Sequence, residues 1–186
     1  MLLIRGGTIE KCYNDGEILR SGYNIGGIVG ENSGTIQECV NKKLITASSI
    51  RKGGIVGDNN GNIISCYNIG DLISTGGQPV GGIAGHNKKI IKNCYNIGVI
   101  SSTQSPKGLI IGNNESTSTV TNCFALTSEL DLIGTEASEN TSSCAKKSQS
   151  EMQAQDNSFI SLLNAGLETN VWLVRANNYP KLSWEQ

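Results

Sequence analysis

Cys12, Cys39, Cys66, Cys94, Cys123 and Cys144 are separated by 27, 27, 28, 29 and 21 residues. Around the first five the chain reads GGTIEKCYNDGEI, SGTIQECVNKKLI, NGNIISCYNIGDL, KKIIKNCYNIGVI and TSTVTNCFALTSE. A second block, GGIVG, begins at Gly26 and Gly53 and returns as GGIAG at Gly81 and GLIIG at Gly108. Other columns share the register. Ile9, Ile36, Ile63, Ile91 and Val120 stand three residues before a cysteine, and Tyr13, Val40, Tyr67, Tyr95 and Phe124 one residue after. Asn14, Asn41, Asn68 and Asn96 follow, with Ala125 breaking that series, and Asn32, Asn59, Asn87 and Asn114 lie two residues past the glycine blocks. A unit this short cannot bury its own apolar face, so copies must stack on one another.

The apolar runs are three to five residues long and are separated by Gly and Asn, which reads as short strands joined by turns. A coil of this length holds about three such strands, each paired with its equivalent one coil away at ~4.8 Å. The expected fold is therefore all-β: a right-handed parallel β-helix of about five coils, its hand taken from that of parallel crossovers. Stacked Ile and Cys fill a narrow interior, and stacked Asn side chains bridge successive coils through their amides. Gly26, Gly30, Gly53, Gly57, Gly81, Gly85 and Gly112 are expected to supply bends or positive φ where a Cβ would clash. A propeller blade needs ~40–45 residues, and the leucine-rich core pattern is missing. A glycine-rich calcium ladder would need an aspartate column, whereas the residues after the glycine blocks run Glu31, Asp58, His86 and Asn113.

The units GGIVGENSGTIQECVN, GGIVGDNNGNIISCYNIG and GGIAGHNKKIIKNCYNIG resemble the GLUG motif, over roughly residues 1–126. That glycine-rich repeat occurs in bacterial surface and secreted proteins, including non-catalytic parts of IgA-cleaving peptidases. The resemblance fades toward the end: Lys89 and Leu109 replace glycines, and CFALTSE has lost the CYN-x-G ending. The stretch SQSEMQAQDNSFISLLNAG with VWLVRANNYPKLSW is similar to the closing segment of many such proteins. The organisation that follows is 1–145 for the solenoid repeats and 146–186 for a C-terminal capping segment in the same structural unit. Within it, Ser148 or Ser150 suits a helix N-cap with Glu151 in the first turn, and Phe159, Leu162 and Leu163 are at helical spacing before Gly166. Trp172 and Trp184 are expected to cover the last open coil. At the other end, one period before Ile28 and Val29 falls on Met1 and Leu2, so the chain reads as starting mid-coil, as a fragment or an irregular first coil. MLLIRGG is too short for a signal peptide.

Candidate chemistry is sparse. With no C-x-x-C pair and a single histidine, a zinc site is not expected. In-register cysteines point the same way with Cβ atoms ~4.8 Å apart, too far for a disulfide, so buried free thiols are expected. His86 is expected at a surface turn. Glu31 and Asp58 share a column but nothing extends them, and Glu10 and Glu38 do not align, so no acid–base pair for polysaccharide cleavage emerges. Tyr67, Tyr95 and Phe124 read as a stacked aromatic ladder, or as a carbohydrate-stacking strip if they face outward. The glycine blocks lack the GK[ST] ending of a phosphate loop. The net charge of −1, without a basic stripe, argues against nucleic acid, and no run approaches the ~18 apolar residues of a membrane span. No catalytic, cofactor-binding or metal-binding residue is assigned. The expectation is a non-catalytic structural or adhesive module, extracellular or at the cell surface, with host or cell-surface glycans or proteins and further domains of a parent chain as partners. A carbohydrate-binding or carbohydrate-active β-helix and an accessory domain of a surface peptidase are the alternatives. Specificity is expected in the irregular positions: the loop from Ser101 to Lys107, the Glu31 to Asn113 column, and the cap.

Overall fold

The computed structural model describes residues 3–136 and 141–185. Its strands form four six-stranded parallel sheets and one antiparallel hairpin. Sheet A collects Leu3–Ile4, Val29–Asn32, Val56–Asn59, Ala84–Asn87, Ile111–Asn114 and Ile133–Glu136. Sheet B collects Thr8–Glu10, Thr35–Gln37, Asn62–Ile64, Ile90–Lys92, Thr119–Thr121 and Thr141–Ser142. Sheet C collects Tyr13–Asn14, Val40–Asn41, Tyr67–Asn68, Tyr95–Asn96, Phe124–Leu126 and Ala145–Lys147. Sheet D holds Ile18–Gly26 and Ile45–Gly53, then the split pairs Leu72–Gly76 with Val80–Gly81 and Ile100–Ser102 with Lys107–Gly108. The chain is thus a parallel β-solenoid of about five turns, and each full coil has four sides rather than three. The fourth side fits because sheets A, B and C use only two to four residues per strand, leaving room for the nine-residue strands of sheet D. The expected match of Met1 and Leu2 to Ile28 and Val29 lies outside the described residues; Leu3 and Ile4 pair with Glu31 and Asn32.

Departures from a strict period have local causes. The interval of 28 residues from Cys66 to Cys94 contains a register shift between Ser74 and Gly76, where a strand of sheet D is interrupted. The interval of 29 contains a longer turn between Asn114 and Thr119 than between Asn87 and Ile90. The last interval drops to 21 because the chain passes from sheet C at Phe124–Leu126 to sheet A at Ile133–Glu136 with no strand of sheet D between them.

The cysteine and isoleucine columns turn inward as the period demands. Ile36, Ile63, Ile91, Cys39, Cys66, Cys94 and Cys123 are fully buried, with Val29, Val56, Ala84 and Ile111 facing them from sheet A. Each buried Ile contributes ~1.5–3 kcal/mol by leaving water. The chain turns from sheet B to sheet C through a residue in the left-handed region directly before each cysteine: Lys11, Glu38, Ser65, Asn93, Asn122 and Ser143, with φ between 50° and 56°. None is glycine, so each bears the ~1–2 kcal/mol cost of that conformation, and the packing of the adjacent cysteine holds it there. None of the glycines singled out in the glycine blocks has a positive φ; what they supply is close approach where a Cβ would clash. A Cβ on Gly85 would sit 2.6 Å from Lys52 N and 2.7 Å from Gly57 O, so sheets A and D meet backbone to backbone at these glycines.

Both asparagine columns form amide ladders. Asn32 donates to Asn59, Asn59 to Asn87 and Asn87 to Asn114, each at 2.8 Å. In the second ladder Asn14 donates to Asn41 at 2.8 Å, Asn41 to Asn68 at 2.7 Å and Asn68 to Asn96 at 2.8 Å. Most of these Nδ2 groups also bond a carbonyl two residues on, as Asn59 does to Gly61 and Asn68 to Gly70, while Asn32 closes its turn by accepting from Gly34 N, so each amide both closes a turn and ties two coils.

The C-terminal segment has the expected elements in an unexpected place. Helix α1 (Gln149–Met152) starts at Ser148 with a capping box closed by Glu151, and α2 (Ser158–Asn164) buries Phe159 and Leu163 while Leu162 is exposed. A hairpin of Trp172–Arg175 and Asn178–Leu182 follows. Instead of covering the last coil, these elements run back along the outer face of sheet C. Trp172 packs on Tyr67 and Tyr95, and Trp184 reaches the first two coils, stacking on Tyr13 and donating from Nε1 to Glu38 O at 3.1 Å. The physical reason is the aromatic column: Val40, Tyr67, Tyr95 and Phe124 point away from the interior and form one buried apolar cluster with Phe159, Leu163, Trp172 and Leu182.

Candidate functional site

His86 lies in the paired series Glu31, Asp58, His86, Asn113 on sheet A, as the repeat requires. It is not the surface turn residue expected; the ring is 6% exposed and sits between two carboxylates. Nε2 is 2.8 Å from Glu115 Oε1 and Nδ1 is 3.1 Å from Asp58 Oδ1, the second approach being short but not aligned as a hydrogen bond. Asp58 is itself buried and faces Lys88 Nζ at 3.3 Å and Arg51 Nε at 3.8 Å. Burial alone would raise the Asp58 carboxyl, but His86, Arg51 and Lys88 outweigh it and hold the group below its ordinary value. Arg51 also donates to Asn24, which donates to Glu31 at 3.3 Å. Sequence reasoning found Glu31, Asp58 and His86 as a column but missed Arg51, Lys88 and Glu115. Arg51 comes from sheet D across the glycine contact, and Glu115 comes from the longer turn after Asn114.

A second buried charge left no sequence signal. Lys52 is 1% exposed, and its Nζ bonds the carbonyls of Ser49, Gly76 and Gly77 at 2.6, 2.8 and 2.8 Å. Burial lowers this ammonium to about 8. Lys52 thereby ties the strand it ends to the interruption of sheet D one coil later. In the Ser101 to Lys107 loop, Lys107 does the same on a smaller scale, donating to Ser102 O at 2.7 Å.

The remaining candidates resolve into packing. None of the six cysteines forms a disulfide; Cys39, Cys66, Cys94 and Cys123 are buried, and Cys12 is exposed at the first coil. The backbone N–H groups of Cys39 and Cys66 donate to the sulfur one coil on at 3.4 Å, and burial pushes the Cys94 thiol well above its ordinary value. Tyr67 and Tyr95 stack at 4.8 Å, and their hydroxyls donate to Glu185 at 2.8 Å and to Pro180 O at 2.6 Å. The column faces outward, yet the C-terminal segment covers it, so it offers no open strip to a sugar. A groove of about 440 Å³ at the edge of the first coil is lined by Ile18, Ile25 and Ile28, with Arg20 as the charged side chain among its lining residues. Among the described residues no group of three or more His, Cys, Asp and Glu is arranged to hold a metal ion, and no helix is long and apolar enough to cross a membrane.

Neither a protein-family model nor a curated protein matches the chain. A solved structure does: a "putative immunoglobulin A1 protease" from Bacteroides ovatus, with a TM-score of 0.66 and 25% sequence identity. The match takes in 97% of this chain, which spans 58% of the length of the Bacteroides protein.

Proposed function

We propose that this chain is a rigid, non-catalytic structural module of a bacterial cell-surface or secreted protein, acting as a stalk or display surface. The observation that carries the reading is the use of the regular columns. Asparagines are joined in buried ladders, cysteines and isoleucines fill the interior, and the aromatic column lies under the chain's own C-terminal segment. Among the described residues, the cluster with acid–base chemistry around His86 and Asp58 keeps those two side chains buried. A second reading, accessory unit of a larger surface peptidase, is favoured by the Bacteroides ovatus protein, which is longer than this chain. The GLUG resemblance supports both. Incubating the purified chain with immunoglobulin A1, a peptide library and soluble polysaccharides is expected to give no turnover, and a glycan array to give at most weak binding. Cleavage that disappears in His86→Ala would overturn the structural reading. Activity seen only when the chain is joined to its native flanking sequence would support the accessory reading.

A further inference from the structure

His86 contacts Asp58 from the preceding coil and Glu115 from the following one, so a single ring spans three successive coils. A neutral imidazole has one N–H and one bare nitrogen. With the proton on Nε2, the ring donates to Glu115 but turns the Nδ1 lone pair toward Asp58 Oδ1 at 3.1 Å. With the proton on Nδ1, the bare Nε2 faces Glu115 Oε1 at 2.8 Å. Either way a lone pair meets a carboxylate oxygen, most costly at the buried Asp58 end, where Asp58 and His86 are 5% and 6% exposed, and less so at the half-exposed Glu115. Only an imidazolium turns an N–H, rather than a lone pair, toward both carboxylates. Arg51 and Lys88 also face Asp58 and oppose a further positive charge there, so the imidazolium rests on its own contacts with Asp58 and Glu115, while Glu31, held by Asn24, lies one coil beyond Asp58.

We propose that His86 is a proton-dependent clasp between coils, closed when both ring nitrogens carry a proton and half open when one is lost. The solenoid is then fastened more tightly in acid at this level of the stack. Elsewhere in the column no side chain titrates in this way: Asn113 follows on one side and the carboxylates Asp58 and Glu31 precede on the other.

The test compares the full chain with His86→Asn, the residue type that the next coil carries at this position, and with Glu115→Gln at the half-exposed end of the clasp. Thermal unfolding at pH 5.5 and pH 8 is expected to show a wild-type advantage over His86→Asn of several degrees at the lower pH and a much smaller one at the higher. Glu115→Gln is expected to reduce that pH dependence without abolishing it. Nitrogen chemical shifts of the His86 ring at pH 5.5 are expected to show two protonated nitrogens in the wild type. A bare-nitrogen signal at either position, or a wild-type advantage independent of pH, would overturn the clasp.

Discussion

Removing Asn59 from the middle of its ladder should weaken the stack by several kcal/mol, and the structure allows the amount to be worked out. The side chain is fully buried. Its Nδ2 donates to Asn87 Oδ1 at 2.8 Å and to Gly61 O at 2.9 Å, and its Oδ1 accepts from Asn32 Nδ2 at 2.8 Å and from Gly61 N at 3.3 Å. Asn59→Ala deletes these four and a weaker bond from Nδ2 to Ile90 O at 3.4 Å. At ~1 kcal/mol net per bond the loss is about 4 kcal/mol. Two compensations pull the figure down: Asn32 Nδ2 keeps a weaker bond to Asn62 O at 3.2 Å, and Asn87 Oδ1 keeps Lys89 N at 3.3 Å. The Gly61 amide and carbonyl lose these partners, which pulls it up. The expected cost is ~3–5 kcal/mol. Asn14→Ala is the matched control. It stands at the exposed start of the other ladder with one inter-coil amide bond and water available to its neighbours, so ~1 kcal/mol is expected. Asn59→Asp sharpens the test: it keeps the shape but turns an acceptor toward Asn87 Oδ1, so it should be at least as damaging as alanine at neutral pH. Urea unfolding followed by circular dichroism reads all three. Equal losses for Asn14→Ala and Asn59→Ala, or a cost below about 1 kcal/mol at Asn59, would refute the claim that the buried ladder is a principal tie between coils.

Three further outcomes follow from the same geometry. Trp172→Ala removes a fully buried ring packed 5.3 Å from Tyr95 and 5.7 Å from Tyr67, at an expected ~3–5 kcal/mol; hydrogen exchange should show the C-terminal segment losing protection while the ladder coils keep theirs. For Lys52, the folded-state value of about 8 lies below the ordinary 10.5, so between those pH values the unfolded chain binds more protons and stability rises with pH. Lys52→Met should remove that rise, seen as a wild-type-minus-variant difference in urea midpoint between pH 7.5 and 10; an identical slope in both proteins would count against it. Alkylation of the native protein should modify Cys12 promptly and reach Cys39, Cys66, Cys94 and Cys123 only on unfolding, as mapped by peptide mass spectrometry; rapid native labelling of Cys66 would contradict the packed interior.

Periodicity reports the neighbour one coil away, and so the sequence by itself determined everything that depends on that neighbour. Parallel pairing, the inward Ile and Cys columns, the two asparagine ladders and the lack of disulfides all follow from equal spacing, because equal spacing places like residues ~4.8 Å apart. An N-cap at Ser148 or Ser150 with Glu151 in the first turn was legible too, and the structure selects Ser148 and closes the box through Glu151. Contacts made once leave no period to detect. The fourth side of the coil depends on sheets A and D meeting at glycines such as Gly85. The C-terminal segment lies beside sheet C rather than over the last coil because its buried apolar side chains pack on the outward aromatic column. His86 looked like one variable turn position among several, yet Arg51 from sheet D and Glu115 from an enlarged turn converge on it and on Asp58. Lys52, which belongs to no repeated column, is enclosed by three carbonyls, two of them at the interruption of sheet D one coil later. Tertiary structure alone decided these features, because burial and charge pairing depend on which different surfaces meet, and a repeat records only how like surfaces stack.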